Sequence, residues 1–217
     1  MLRSYTSGTM PPSSPSELPR FAPLRRSLLS RATAAALCAI GVFLFLVATA
    51  SAGAQVKPSA YDVKAAYLFN FGKFMRMSGI PEEPHHPTFD ICVLGHDPIG
   101  HVLDDITANE SIDKRAVHVM RIADAYAAKD CQVVFISAEE GDGIRADLTA
   151  LGKADVLTVS DAPDFLKEGG MIQFVMQQNH VRFAVNLDAV NRTRLVLSSE
   201  LLRVALTVTG KPPEGQP

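Results

Sequence analysis

Residues 131–137 read Cys-Gln-Val-Val-Phe-Ile-Ser, a short and strongly apolar run. Such a run, too short for a helix and bounded by polar residues, fits a strand buried on both faces, as strands inside a parallel sheet are. Upstream, Ala116-Val117-His118-Val119-Met120-Arg121-Ile122 alternates, and Phe89-Asp90-Ile91-Cys92-Val93-Leu94-Gly95 is a second apolar run that ends on glycine. Downstream, Val156-Leu157-Thr158-Val159-Ser160 gives another strand. Helical segments fall between them. Asp97 caps and Pro98 opens a helix to about Thr107, Asp124 to Ala128 makes a helical turn, Gly143 to Leu151 is a helix, and Pro163 to Lys167 a short one stopped by Gly169-Gly170. The runs 171–176 and 181–186 flank a turn at Asn179-His180 and form a hairpin. Helices at Tyr61 to Met77 and Ser198 to Val208 bracket the whole. Strands alternating with helices predict an α/β fold: a mostly parallel central sheet flanked by helices on both faces, with the C-terminal antiparallel hairpin as an edge.

The first fifty or so residues are different in kind. Met1 to Arg20 is rich in Ser and Pro. Arg25, Arg26 and Arg31 then precede an uncharged apolar run, Ala32 to Ala48, and Ala50-Ser51-Ala52-Gly53-Ala54 follows. A cationic flank, an apolar core and small residues at a cleavage site are the parts of a secretory signal. Cleavage after Ala52 or Ala54 fits, and retention as a membrane anchor is the alternative. The paired Arg25-Arg26 leaves both the general and the twin-arginine export routes open. The sequence therefore divides into a leader (1–54, with the signal at about 24–54), one domain (55–209) and a Pro/Gly-rich tail (210–217).

Loss of the leader takes Arg3, Arg20, Arg25, Arg26, Arg31 and Glu17 from totals of 21 Lys+Arg and 23 Asp+Glu, which leaves a mature net charge of −6. Nucleic acid is excluded as a partner, because phosphate contacts need clustered cations. Cys38 lies in the signal core, so two cysteines remain, Cys92 and Cys131. In an exported chain an even count reads as a disulfide, with two buried free thiols as the alternative.

No arrangement of residues rises to a catalytic site: there is no Gly-x-Ser-x-Gly elbow and no acid with a partner base at recognisable spacing. No cofactor is expected. Gly95-His96-Asp97-Pro98-Ile99-Gly100 follows a strand and opens a helix, where α/β folds place ligand loops. Gly95, His96, Asp97 and Gly100 are thus candidates for a ligand loop, or else form a plain strand-to-helix turn, since Pro98 removes an amide that a phosphate would need. His85, His86, His96 and His101 lack the spacing of a zinc site and read as loop histidines, so no metal is expected. On the first helix Tyr67, Phe71 and Phe74 share a face that is either core or a stripe for a protein partner.

Several segments together resemble the YfiR family. They are 64–74 (Lys-Ala-Ala-Tyr-Leu-Phe-Asn-Phe-Gly-Lys-Phe), 89–95, 131–137, Leu157-Thr158-Val159-Ser160-Asp161, Phe165 with Gly169-Gly170-Met171-Ile172, 181–187 and Ser198-Ser199-Glu200-Leu201-Leu202, in the family's order. The resemblance implies a non-enzymatic periplasmic repressor that binds the sensory domain of an inner-membrane diguanylate cyclase, holds it off, and on release lets cyclic di-GMP and biofilm formation rise. It also implies a homodimer and a disulfide at Cys92 and Cys131. Two departures stand out: there is no second cysteine pair near Gly169-Gly170, and Met75-Arg76-Met77 follows Phe74 where the family tends to have Trp-Pro. A periplasmic protein that presents a small ligand to a sensor kinase or transporter is the rival expectation.

Overall fold

A computed structural model describes residues 57–79 and 87–211. The leader, the loop holding His85 and His86, and the end of the tail lie outside the described residues. The domain opens with α1 (Ala60–Lys73). Its start is fixed by a capping box: the Asp62 amide donates to Ser59 Oγ at 3.1 Å and the Ser59 amide to Asp62 Oδ2 at 2.6 Å. Its end corrects the expectation of a helix to Met77. The chain leaves the helix at Phe74, and Met75–Met77 forms strand β1, antiparallel to β9 (Leu195–Leu197). Buried Met75, exposed Arg76 and half-buried Met77 follow a period of two, which the preceding helical stripe masks in the sequence.

The main sheet has eight strands. They are β2 (Thr88–Leu94), β3 (Ser111–Ile112), β4 (Arg115–Ile122), β5 (Val133–Ile136), β6 (Leu157–Ser160), β7 (Ile172–Gln177), β8 (His180–Asn186) and β10 (Thr207–Thr209). The spatial order is β10-β8-β7-β6-β5-β2-β4-β3. From β4 across to β7 all neighbours are parallel, while β7–β8 and β3–β4 are antiparallel. The fold is therefore α/β with a mostly parallel sheet. Alternation along each strand sorts two cores. Ile91, Val93, Val133, Phe135, Leu157 and Val159 face α1 and α2 (His101–Thr107). Cys92, Leu94, Val134 and Ile136 face α3 (Gly143–Leu151) and the 3-10 turn Ala127–Asp130.

The C-terminal third differs from expectation in detail. The hairpin turn is Gln178-Asn179, both at positive φ, so His180 begins β8 instead of making the turn. Pro163 to Lys167 is a set of turns with Asp164 at φ 61, not a helix. A Cβ at Gly170 would stand 2.1 Å from the Phe165 ring, so only glycine lets the chain pass there. After β8 come α4 (Leu187–Val190), β9 and α5 (Ser199–Val204). The expected last helix stops at Val204 because Thr207-Val208-Thr209 pairs in parallel with Ala184-Val185-Asn186. β-Branched residues favour that outcome, and β10 covers the edge that the hairpin would otherwise present.

Candidate functional site

The parallel strands run β4-β2-β5-β6-β7 in space, so the chain leaves β2 toward one side and returns across it to β5 on the other. A crevice at the carboxyl ends of β2 and β5 is the point where α/β sheets take ligands. The loop of Gly95, His96, Asp97 and Gly100 forms one wall, as its position after β2 requires, and the 3-10 turn Ala138–Glu140 after β5 forms the other.

The two walls are bonded to each other. The His96 amide donates to Glu140 Oε1 at 3.2 Å, and His96 Nδ1 lies 3.1 Å from Glu139 Oε2. Gly95 has φ +76, and a Cβ on it would meet Glu140 Oε1 at 1.8 Å, so the Glu140 carboxylate lies directly over the loop backbone. Asp97 Oδ1 accepts from the amides of Ile99 and Gly100, both at 2.9 Å. This turn delays α2: Gly100, at φ 63, takes the cap position expected of Asp97, and the helix begins at His101. The other Asp97 oxygen accepts from Arg121 Nε at 2.9 Å, and Arg121 also donates to Asp104 at 2.6 and 2.7 Å and to the Gly100 carbonyl at 2.8 Å. Arg121 holds the Asp104 carboxyl below the usual aspartate range, and its own proton is held correspondingly tighter, chiefly by Asp104. The amides that an anionic ligand would seek are thus occupied by the chain's own carboxylates.

Beside the crevice, at the end of β6, Asp161 collects three donors. Lys64 Nζ approaches at 2.5 Å, Tyr61 Oη at 3.3 Å, and the Ala138 amide at 3.1 Å. Lys64 Nζ also sits 4.1 Å from the Tyr61 ring centroid. Burial, then the charge of Asp161, raises the Tyr61 hydroxyl above its ordinary value. The apolar stripe of α1 places Lys64 on the wet side, yet it is only 7% exposed. Its partner stands 97 residues away, and no local pattern marks the pair.

The aromatic face of α1 divides in two. Phe71 is 0% exposed and packs on Phe183 and Phe174, with centroids 5.0 and 5.8 Å away. Tyr67, half-buried, stacks on Phe71 at 5.7 Å. Phe71 is therefore core, while Phe74, at 40% exposure, reaches solvent. Cys92 and Cys131, both buried, form a disulfide with Cα atoms 6.1 Å apart, which decides between the bond and two free thiols. His101 and Asp105 are exposed and 3.9 Å apart, and no group of His, Cys, Asp and Glu able to hold a metal occurs among the described residues. Among the described residues no helix is long and apolar enough to cross a membrane.

Comparison with curated proteins finds no match. Among solved structures the chain is similar to a conserved domain protein from Vibrio cholerae O1 biovar El Tor strain N16961, at 10% identity and a TM-score of 0.44. That alignment covers 55% of this chain and spans 54% of the other. The family model described as YfiR/HmsC-like matches residues 61–206, from the first turn of α1 to the residue before β10. The chain belongs to the YfiR/HmsC-like family.

Proposed function

We propose that this protein is an exported regulator that binds the periplasmic sensory domain of an inner-membrane diguanylate cyclase and holds the cyclase inactive, as a homodimer free of the membrane once its signal is removed. The observation that carries this reading is the family match over 61–206, which takes in nearly all of the described domain. Proteins of the YfiR/HmsC-like family are periplasmic regulators of cyclic di-GMP signalling and not catalysts. The disulfide supports export, because such a bond persists in an oxidising compartment. The crevice supports action by contact, since its two walls are bonded to each other instead of holding donors toward a reactant. A regulator of this kind works by binding one state of its partner more tightly than another, and needs no reacting groups.

The test is cyclic di-GMP in cells lacking the gene. The level rises, and the full-length chain supplied in trans restores it. An unchanged level across several growth conditions sinks the reading.

A further inference from the structure

We propose that the groove between the start of α1 and the β7–β8 hairpin is a docking surface for an acidic segment of a protein partner, anchored by apolar side chains. The groove encloses about 620 Å³. Its floor is apolar, formed by Val63 and Tyr67 of α1 with Met176 and Val181 of the hairpin. Among the described residues its charged lining is of one sign: Lys57 and Arg182 are cations, and no Asp or Glu lines it. That is notable in a domain whose acids outnumber its bases, and it selects a complementary, acidic occupant.

Shape and surroundings favour a protein over a small molecule or a bilayer. Met176, paired with Val181 across the hairpin, is 57% exposed. Next to Val181 on β8, Arg182 Nη2 donates to the Val204 carbonyl at 3.5 Å, which places exposed Val204 beside the groove. Exposed apolar residues therefore flank Arg182 on both sides, Met176 on β7 and Val204 at the end of α5, and a chain segment can contact both. A bilayer is met by a protruding surface, whereas this one is concave. Apolar anchors seated in a groove, with charges at its rim, are how an amphipathic segment is commonly held. The site is far in sequence from the carboxyl-end crevice and shares none of the crevice residues named above. The inference deepens the regulator reading, which supplies the class of partner.

The experiment places a photo-crosslinking amino acid at Met176 of the full-length chain in cells, with Ala146, exposed on α3, as control. The crosslinked peptide is identified by mass spectrometry. Support is an adduct at Met176, absent at Ala146, on a segment of the cyclase's periplasmic region that carries net negative charge and apolar residues. Its yield falls about tenfold in the Lys57→Glu/Arg182→Glu double variant. If that variant does not fold, a salt titration of the original crosslink replaces it, and the yield falls as salt rises. Adducts mainly on lipid, on a second copy or on a basic segment overturn the proposal, as does no adduct at Met176 or an unchanged yield on charge reversal. An acidic segment of a different protein sustains the groove and counts against the cyclase. Capture of the cyclase by a chain with no adduct at Met176 does the reverse.

Discussion

Phe71, in the last turn of α1, and Phe74, at its C-cap, lie three residues apart and have opposite fates. Phe71→Ala empties the space between Phe174 and Phe183 and is expected to cost about 3–5 kcal/mol in urea unfolding, whereas Phe74→Ala, at a half-open site, costs less than about 1 kcal/mol. At Asp161 the expected loss has an electrostatic cause. Asp161→Asn leaves the Lys64 ammonium without its carboxylate, at a cost of about 3 kcal/mol, while replacing both by apolar residues costs less than the two single changes together. A double-mutant cycle by chemical unfolding reads this, and additive losses refute it. The Arg121 cluster predicts a pH effect of known sign. The folded-state pKa of Asp104 is depressed, so its stabilisation is complete above the ordinary aspartate range and fades as pH falls through that range toward the folded value. Arg121→Gln should therefore flatten the acid limb of the stability curve and leave its neutral limb parallel to the original. Of these side chains the sequence marks Phe71 by its place in a helical stripe. It cannot mark Lys64–Asp161 or Arg121–Asp104, because ion pairs across a fold leave no local period.

Elements follow the same division between local and distant causes. β2, β4, β5 and β6 are legible because apolar runs of four to eight residues between helices admit few other readings. β1, β9 and β10 have three residues each and exist through their pairing, so β1 reads as the end of one helix and β10 as the end of another. The crevice was half legible: the loop after β2 is visible as a strand-to-helix glycine turn, but the Glu140 carboxylate that fills it arrives from β5. Two tests belong at this scale. Gly170→Ala drives a methyl into the Phe165 ring and should destabilise by roughly 1–3 kcal/mol or more, with the loss concentrated where β7 joins β6. Val208→Pro removes β10 from the edge of β8, and the prediction is assembly beyond the dimer by light scattering, at concentrations where the parent chain goes no further than a dimer.

For the molecule as a whole, export and stability are coupled through one bond. Cys92 lies in β2 and Cys131 just before β5, neighbouring central strands whose covalent link closes a loop of 39 residues. Such a link contributes about 2–4 kcal/mol, chiefly by restricting the unfolded chain, and it survives only where thiols are not kept reduced. A chain expressed without residues 1–54 stays in the cytosol, reduced, and should unfold at lower urea by that margin; adding reductant to the exported form should bring the two curves together. The functional consequence is separable from the energetic one. A Cys92→Ser/Cys131→Ser chain that keeps its leader is weakened yet still delivered to the compartment of its partner, and some control of cyclic di-GMP should persist at low growth temperature. The leaderless chain has intact cysteines but never meets the sensory domain, so cells carrying it should show the cyclic di-GMP level of the deletion strain at every temperature. Restoration by the leaderless chain would place the site of action inside the cytosol and remove the basis for regulation by contact beyond the membrane.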